Sequence, residues 1–111
     1  MNTFSMLFYI RRTKLLNNGE APIYVRITVN GTRTDMALFR SVLPENWITV
    51  KGRAKGNSRE IRELNSYLDE YASRILQCKR ELENDYKPVT PESIKNKLLG
   101  NDDSNYFQGT Q

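Results

Sequence analysis

Histidine is absent from the 111 residues, and cysteine occurs once, as Cys78. These two shortages remove Cys/His zinc sites, Ser–His and Cys–His nucleophilic pairs, and imidazole acid–base chemistry. A lone cysteine also excludes an internal disulfide and agrees with a reducing compartment. Neither G-x-x-x-x-G-K-[ST] nor G-x-G-x-x-G occurs, so no phosphate-binding loop is recognisable. No apolar run approaches the roughly 20 residues of a membrane span. The opening Met1-Asn2-Thr3-Phe4-Ser5 lacks the basic region and cleavage site of a signal peptide. The expectation is a cytoplasmic chain with no membrane partner, metal, cofactor or small-molecule substrate. Carboxylates are strung along a helical segment instead of meeting in apolar pairs, so no catalytic residue is expected. The length suits one domain with one modest core, and nothing repeats internally.

Charge is present in quantity, and it is unevenly placed. The net value is +4. Residues 1–59 carry ten Lys/Arg against three Asp/Glu, and residues 60–111 carry seven against ten. The first part is therefore +7 and the second −3. A positive field confined to one half suits a polyanionic partner. An unevenly charged solvated surface is the alternative on charge alone.

Period-two alternation marks three strands within residues 4–40. Phe4, Met6, Phe8 and Ile10 share one face of the first. Asn17-Asn18-Gly19-Glu20-Ala21-Pro22 is turn-rich. Ile23, Val25, Ile27 and Val29 share one face of the second strand, and Asn30-Gly31 then supplies the two positive φ values of a type I′ hairpin turn. A two-residue loop pairs Val29 with Thr32, Ile27 with Thr34, Val25 with Met36 and Ile23 with Leu38. On the other face it pairs Thr28 with Arg33, Arg26 with Asp35 and Tyr24 with Ala37. One face is apolar. The other is wet, basic and aromatic, and the first strand adds Tyr9, Arg11 and Thr13 to it, together with Leu7, for which the pattern offers no reason. Residues 41–56 read as irregular, with Pro44 and Trp47 folding over an end of the sheet and residues 51–56 forming a flexible basic loop.

A long helix over about 58–85 follows. Ile61, Leu64, Leu68, Tyr71, Ile75, Cys78 and Leu82 recur at steps of three and four, which is one helical face. Asn57 with Glu60 has the spacing of a capping box. The helix is about 40 Å long, against about 26 Å for an eight-residue strand. Its first half is expected to pack on the sheet and its C-terminal end to overhang. Thr90-Pro91-Glu92 opens a short second helix that Leu98-Leu99-Gly100 closes, with residues 88–100 as linker and helix. The tail 101–111 is polar and reads as disordered. The fold class is α+β: a three-stranded antiparallel sheet packed against one long helix, with a short C-terminal helix.

Two features carry functional chemistry. Tyr9, Arg11, Tyr24, Arg26, Thr28 and Arg33 make a face that suits a DNA groove, because Arg pairs bidentately with guanine while Tyr and Thr reach phosphates or thymine methyls. Arg12, Lys14, Lys51, Arg53 and Lys55, in the flanking loops, suit phosphates. The same residue types are common on ordinary solvated strands, and Asp35 competes for Arg26. The helical stripe offers a rival function, a dimerisation or protein-interaction surface with the basic charge incidental. An RNA platform would need a denser aromatic set than this sheet has.

In order along the chain stand Ile23-Tyr24-Val25-Arg26-Ile27-Thr28-Val29-Asn30-Gly31-Thr32-Arg33, then Pro44-Glu45-Asn46-Trp47, Lys51-Gly52-Arg53 and Leu64-Asn65-x-x-Leu68. With the leading strand, this series resembles the N-terminal arm-type DNA-binding domain of tyrosine recombinases, the phage-integrase-like enzymes of bacterial mobile elements. The likeness covers about residues 3–86, within a domain 1–87, and Val89–Lys95 resembles the segment leading into a core-binding domain. The resemblance implies a three-stranded sheet that enters the major groove of double-stranded DNA at arm sites. It also implies a parent enzyme acting in DNA integration and recombination, other recombinase protomers as partners on DNA, and association with the nucleoid when bound. The family's catalytic Arg/His set and nucleophilic Tyr belong to a C-terminal domain. Neither Tyr86 nor Tyr106 has a claim to that role, so this part of the protein is expected to bind and not to catalyse.

Overall fold

The computed structural model describes residues 3–100; the tail expected over 101–111, Tyr106 included, lies outside them. Three antiparallel strands form the sheet in the order β1 (Phe4–Ile10), β2 (Ala21–Val29) and β3 (Thr32–Val42). The long helix α1 (Arg59–Asn84) and the short α2 (Pro91–Leu98) complete the α+β architecture.

Asn30 and Gly31 sit at φ 52° and 86°, as the two-residue turn requires. From that turn the pairing runs as the alternation predicts: Val29 with Thr32, Thr28 with Arg33, Ile27 with Thr34, Arg26 with Asp35, Val25 with Met36 and Tyr24 with Ala37. β1 pairs with β2 from Phe4–Val29 to Ile10–Ile23. The expected pair of Ile23 with Leu38 does not form. The ladder shifts there and resumes at Pro22–Ser41 and Ala21–Val42, so β3 bulges and continues two residues beyond the expected end at 40. Phe39, at φ 59°, occupies the bulge.

Residues 41–56 are more ordered than their composition suggests. A 3-10 turn over Pro44–Asn46 leads into a small hairpin of β4 (Trp47–Ile48) and β5 (Arg53–Ala54). Trp47 and Ala54 are buried in the common core. Gly52 is positioned by close approach. A Cβ there would stand 3.1 Å from the Phe8 carbonyl oxygen, and its φ is 63°. Asn65 of α1 then grips β5 on both backbone groups: Nδ2 donates to the Ala54 carbonyl at 3.0 Å and Oδ1 accepts from the Ala54 N–H at 2.9 Å. Two-residue strands are too short for periodicity to show, and the ordering comes from these tertiary contacts.

Ser58, not Asn57, caps α1, its hydroxyl accepting from the Ile61 N–H at 3.2 Å. The capping box belongs to α2, where Thr90 and Ser93 exchange side-chain-to-backbone bonds at 2.9 Å in each direction. The packing of α1 reverses the expectation. Leu68, Tyr71, Ile75, Cys78 and Leu82 are buried, whereas Ile61 and Leu64 in the first turns are only partly so. No bare overhang remains at the C-terminal end, because α2 folds back against α1, β2 and β3 and buries Pro91, Ile94 and Leu98. Lys97 of α2 reaches Glu81 of α1 at 3.4 Å. Burial in this way takes up most of the stripe that its spacing also offered for dimerisation.

Candidate nucleic-acid interface

Strand alternation delivers the outer face. Since Phe8, Ile10, Ile23, Val25, Ile27, Val29, Met36 and Leu38 point into the core, their neighbours along each strand point out. Three cross-strand rows result: Ser5–Thr28–Arg33, Leu7–Arg26–Asp35 and Tyr9–Tyr24–Ala37. Arg11, one residue past β1, lays its guanidinium 4.1 Å from the centroid of the Tyr24 ring. The sheet therefore brings together all six residues proposed for this face: Tyr9, Arg11, Tyr24, Arg26, Thr28 and Arg33.

They are unequal in availability. Asp35, which stands opposite Arg26, accepts from Arg26 Nε at 3.3 Å and from its terminal nitrogen at 3.2 Å. It also accepts from the Tyr9 hydroxyl. Tyr9 stacks on Tyr24 with centroids 5.9 Å apart, and the Arg26 guanidinium lies 5.1 Å from the Tyr9 ring. Burial by itself would raise the Asp35 pKa, but the hydrogen bonds from Tyr9 and Arg26 outweigh it and hold the carboxyl below its ordinary range. Burial, followed by the bond to Asp35, pushes the Tyr9 phenol up. Arg26 is held charged more firmly by its bond to Asp35. At neutral pH the cluster is thus a fixed neutral phenol, a carboxylate and a guanidinium.

Around this cluster the outer face keeps outward-going chemistry. Arg33 is exposed at the end of its row, Thr28 is half-buried beside it, and Arg11 is half-buried over Tyr24. Arg12 and Lys14 are exposed in the β1–β2 connection, with Arg12 donating to the Pro44 carbonyl at 3.5 Å. Lys51 and Lys55 are exposed around the β4–β5 hairpin. Arg53 differs from these four. Its guanidinium bonds Asp69 of α1 at 2.9 Å and lies 4.9 Å from the inward-facing Phe8 ring, so it points to the helix side of the sheet. On α1, the exposed Glu60, Glu63, Asp69 and Glu70 give that side carboxylates.

Periodicity passed over two further residues of the outer face. Asp35 was visible as a partner of Arg26, but its bond to Tyr9 depends on the register of β1. Phe39 had no signal, because bulges are usually marked by glycine and this one is not. Among the described residues no three metal-ligating side chains converge, and no helix is long and apolar enough to cross a membrane.

No curated protein and no solved structure matches the chain significantly. A family match does exist, over residues 8–95, and it spans the sheet, the small hairpin, α1 and the start of α2. It includes every residue of the outer face except Ser5 and Leu7. The family is described as the arm DNA-binding domain, and such a domain binds DNA without catalysing a reaction. On sequence and architecture together, the chain belongs to the arm DNA-binding domain family.

Proposed function

We propose that this domain docks the outer face of its sheet in the major groove of double-stranded DNA at specific arm sites, as the N-terminal module of a site-specific tyrosine recombinase. In that setting it anchors the recombinase, and its other protomers, beside the site of strand exchange during integration and recombination of a mobile element. Chemistry on the DNA then belongs to another domain of the parent enzyme.

The single observation that carries the reading is the composition of the outer face. Three guanidiniums, Arg11, Arg26 and Arg33, stand with two stacked tyrosines on the one sheet face that no helix covers. A major groove about 12 Å wide admits such a β-ribbon. Arg11 and Arg33 are the base readers. Tyr24 and Thr28 contact backbone or base edges. Tyr9 and Arg26, locked by Asp35, form the rigid platform from which the readers project. Arg12, Lys14, Lys51 and Lys55 hold phosphates at the flanks and set register without reading sequence.

Fluorescence anisotropy tests this directly. The chain is titrated into duplexes enriched by it from a random pool, and into scrambled duplexes, across a salt series. Preferential binding with a steep negative salt dependence is the expected result; about five phosphate contacts give a log–log slope near −4 to −5. Equal, weak binding to both duplexes would reduce the face to a basic surface and overturn the proposal.

A further inference from the structure

Phe39 has two properties that, among the described residues, only Tyr86 shares, and at Tyr86 the positive φ is the ordinary left-handed turn that ends α1. Phe39 adopts φ 59°, in the left-handed region where bulky side chains are outliers. It is also 89% exposed, so the aromatic ring gains none of the burial that normally holds such a residue in a strand. A cost with no internal return at a site next to a binding face points to function.

The bulge explains where the ring goes. Between the pairs Tyr24–Ala37 and Pro22–Ser41, β2 has only Ile23, while β3 has Leu38, Phe39 and Arg40. Leu38 and Val42 are buried in the core, and the Arg40 guanidinium lies 4.2 Å from the ring of Tyr67 on α1. These even-numbered positions all face the helix side. Phe39, flanked by Leu38 and Arg40 and almost fully exposed, is turned away from the core one step beyond Ala37, the end of the row that holds Tyr9 and Tyr24. Bulges commonly re-aim a side chain beside a working site.

We propose that Phe39 is a base-contacting residue that seats against the C5-methyl group of a thymine in the major groove. This rests on the DNA-binding reading above and adds a specificity determinant to it. Thymine is the base whose groove edge carries an apolar group, and Phe is a side chain suited to meet it. The neighbourhood favours DNA over a second copy of the chain. The surrounding face is cationic and polar, whereas a protein interface excludes charge from its core.

The test uses the full chain and duplexes that it enriches from a random pool. Each thymine of the enriched site is replaced in turn by uracil, which removes only the methyl. Binding is compared for the parent, F39G and F39N; both substitutes tolerate positive φ, so the Tm should match or exceed the parent's. One or two uracil positions should weaken the parent about fourfold, the value of one buried methyl. F39G and F39N should bind roughly tenfold or more weakly and show no sensitivity at those positions. Variants that bind within twofold of the parent, or that keep its uracil sensitivity, overturn the assignment. If Arg11→Ala and Arg33→Ala still weaken selective binding in that case, the DNA-binding reading survives without Phe39. If the parent enriches no duplex, both fall together.

Discussion

On its inner side β2 presents Ile23, Val25 and Ile27, all fully buried; on its outer side the same strand presents Tyr24, Arg26 and Thr28, all half-buried. The inner row is held by contact with β1, β3 and α2, and its chemistry is interchangeable so long as volume is kept. The outer row is held by a stack, a cation over a ring and a three-way hydrogen-bonded cluster, each dependent on a particular functional group. On the proposed function, stability and recognition are separated by the two-residue period of a single strand. What the helices do to one face leaves the other free to carry charge.

The largest effect should come from the inner face. Ile27→Ala removes a fully buried side chain from the core, on the central strand between β1 and β3. It should cost about 2–5 kcal/mol of folding stability, a large share of what a domain of this size has. Urea unfolding reads that loss. DNA binding measured well below the new midpoint should be nearly unchanged for the molecules that remain folded. A variant that stays folded yet loses affinity would break the separation of the two faces.

Next in size are Arg11→Ala and Arg33→Ala on the outer face. Each should lose about 1–3 kcal/mol of specific binding and relax preference at one position of the site; unfolding free energy should move within roughly 0.5 kcal/mol for the exposed Arg33 and fall by up to about 1 kcal/mol for Arg11, which loses its place over the Tyr24 ring. The contrast with Ile27 is the point of the experiment. Affinity and stability should respond to different halves of the same alternation.

At Asp35 the outer face also supports the fold through a charge, and pH exposes it. Its folded pKa lies below the ordinary value, since the bonds from Tyr9 and Arg26 outweigh the opposing effect of burial. A depressed carboxylate contributes stability that is fully present above the unfolded pKa of about 4 and is lost as pH falls through the folded pKa. Parent and Asp35→Asn should therefore differ by on the order of 1 kcal/mol from pH 5 to 8, and the gap should close below about pH 4. Unfolding curves across that range measure it. A constant gap down to pH 3 would show that shape, not charge, is what Asp35 supplies. Removing the carboxylate should also raise affinity for scrambled DNA, because a negative charge no longer faces phosphate.

How much of this was legible in the sequence varies along one hairpin. At the Asn30-Gly31 end, turn chemistry fixed both central residues and with them six successive pairs. At the Pro22 end the same counting failed at Ile23–Leu38, since the bulge is centred on a phenylalanine and not on a residue that favours positive φ. The small β4–β5 hairpin was unreadable for a different reason. Two-residue strands have no period, and their order is imposed from outside by Asn65 and by the close approach of Gly52 to Phe8. The reversed burial along α1 followed from α2, whose short apolar stripe gave no hint of where it would dock. The outer-face residues were readable as a set, because alternation alone assigns them. The locking of Tyr9 and Arg26 by Asp35, and the seating of Arg11 over Tyr24, needed the third dimension.

Arg53 offers the smallest effect and the sharpest separation. Sequence proximity to Lys51 and Lys55 suggested a phosphate contact. Its guanidinium instead bonds Asp69, donates to the Gly52 carbonyl at 2.8 Å and covers the Phe8 ring. Those contacts tie the β4–β5 hairpin to α1 on the side away from the outer face. Arg53→Gln should therefore lower stability by up to about 1 kcal/mol, a modest value because Asp69 is largely solvent-exposed. Affinity for the enriched duplex should change by less than about twofold, and the salt slope should stay where it is. Lys51→Gln, two residues earlier, should do the reverse: no change in unfolding, and a slope shallower by about one. Should Arg53→Gln also flatten the slope, the helix side of the sheet edge would have to touch DNA, and the division of labour between the two faces would end at the hairpin.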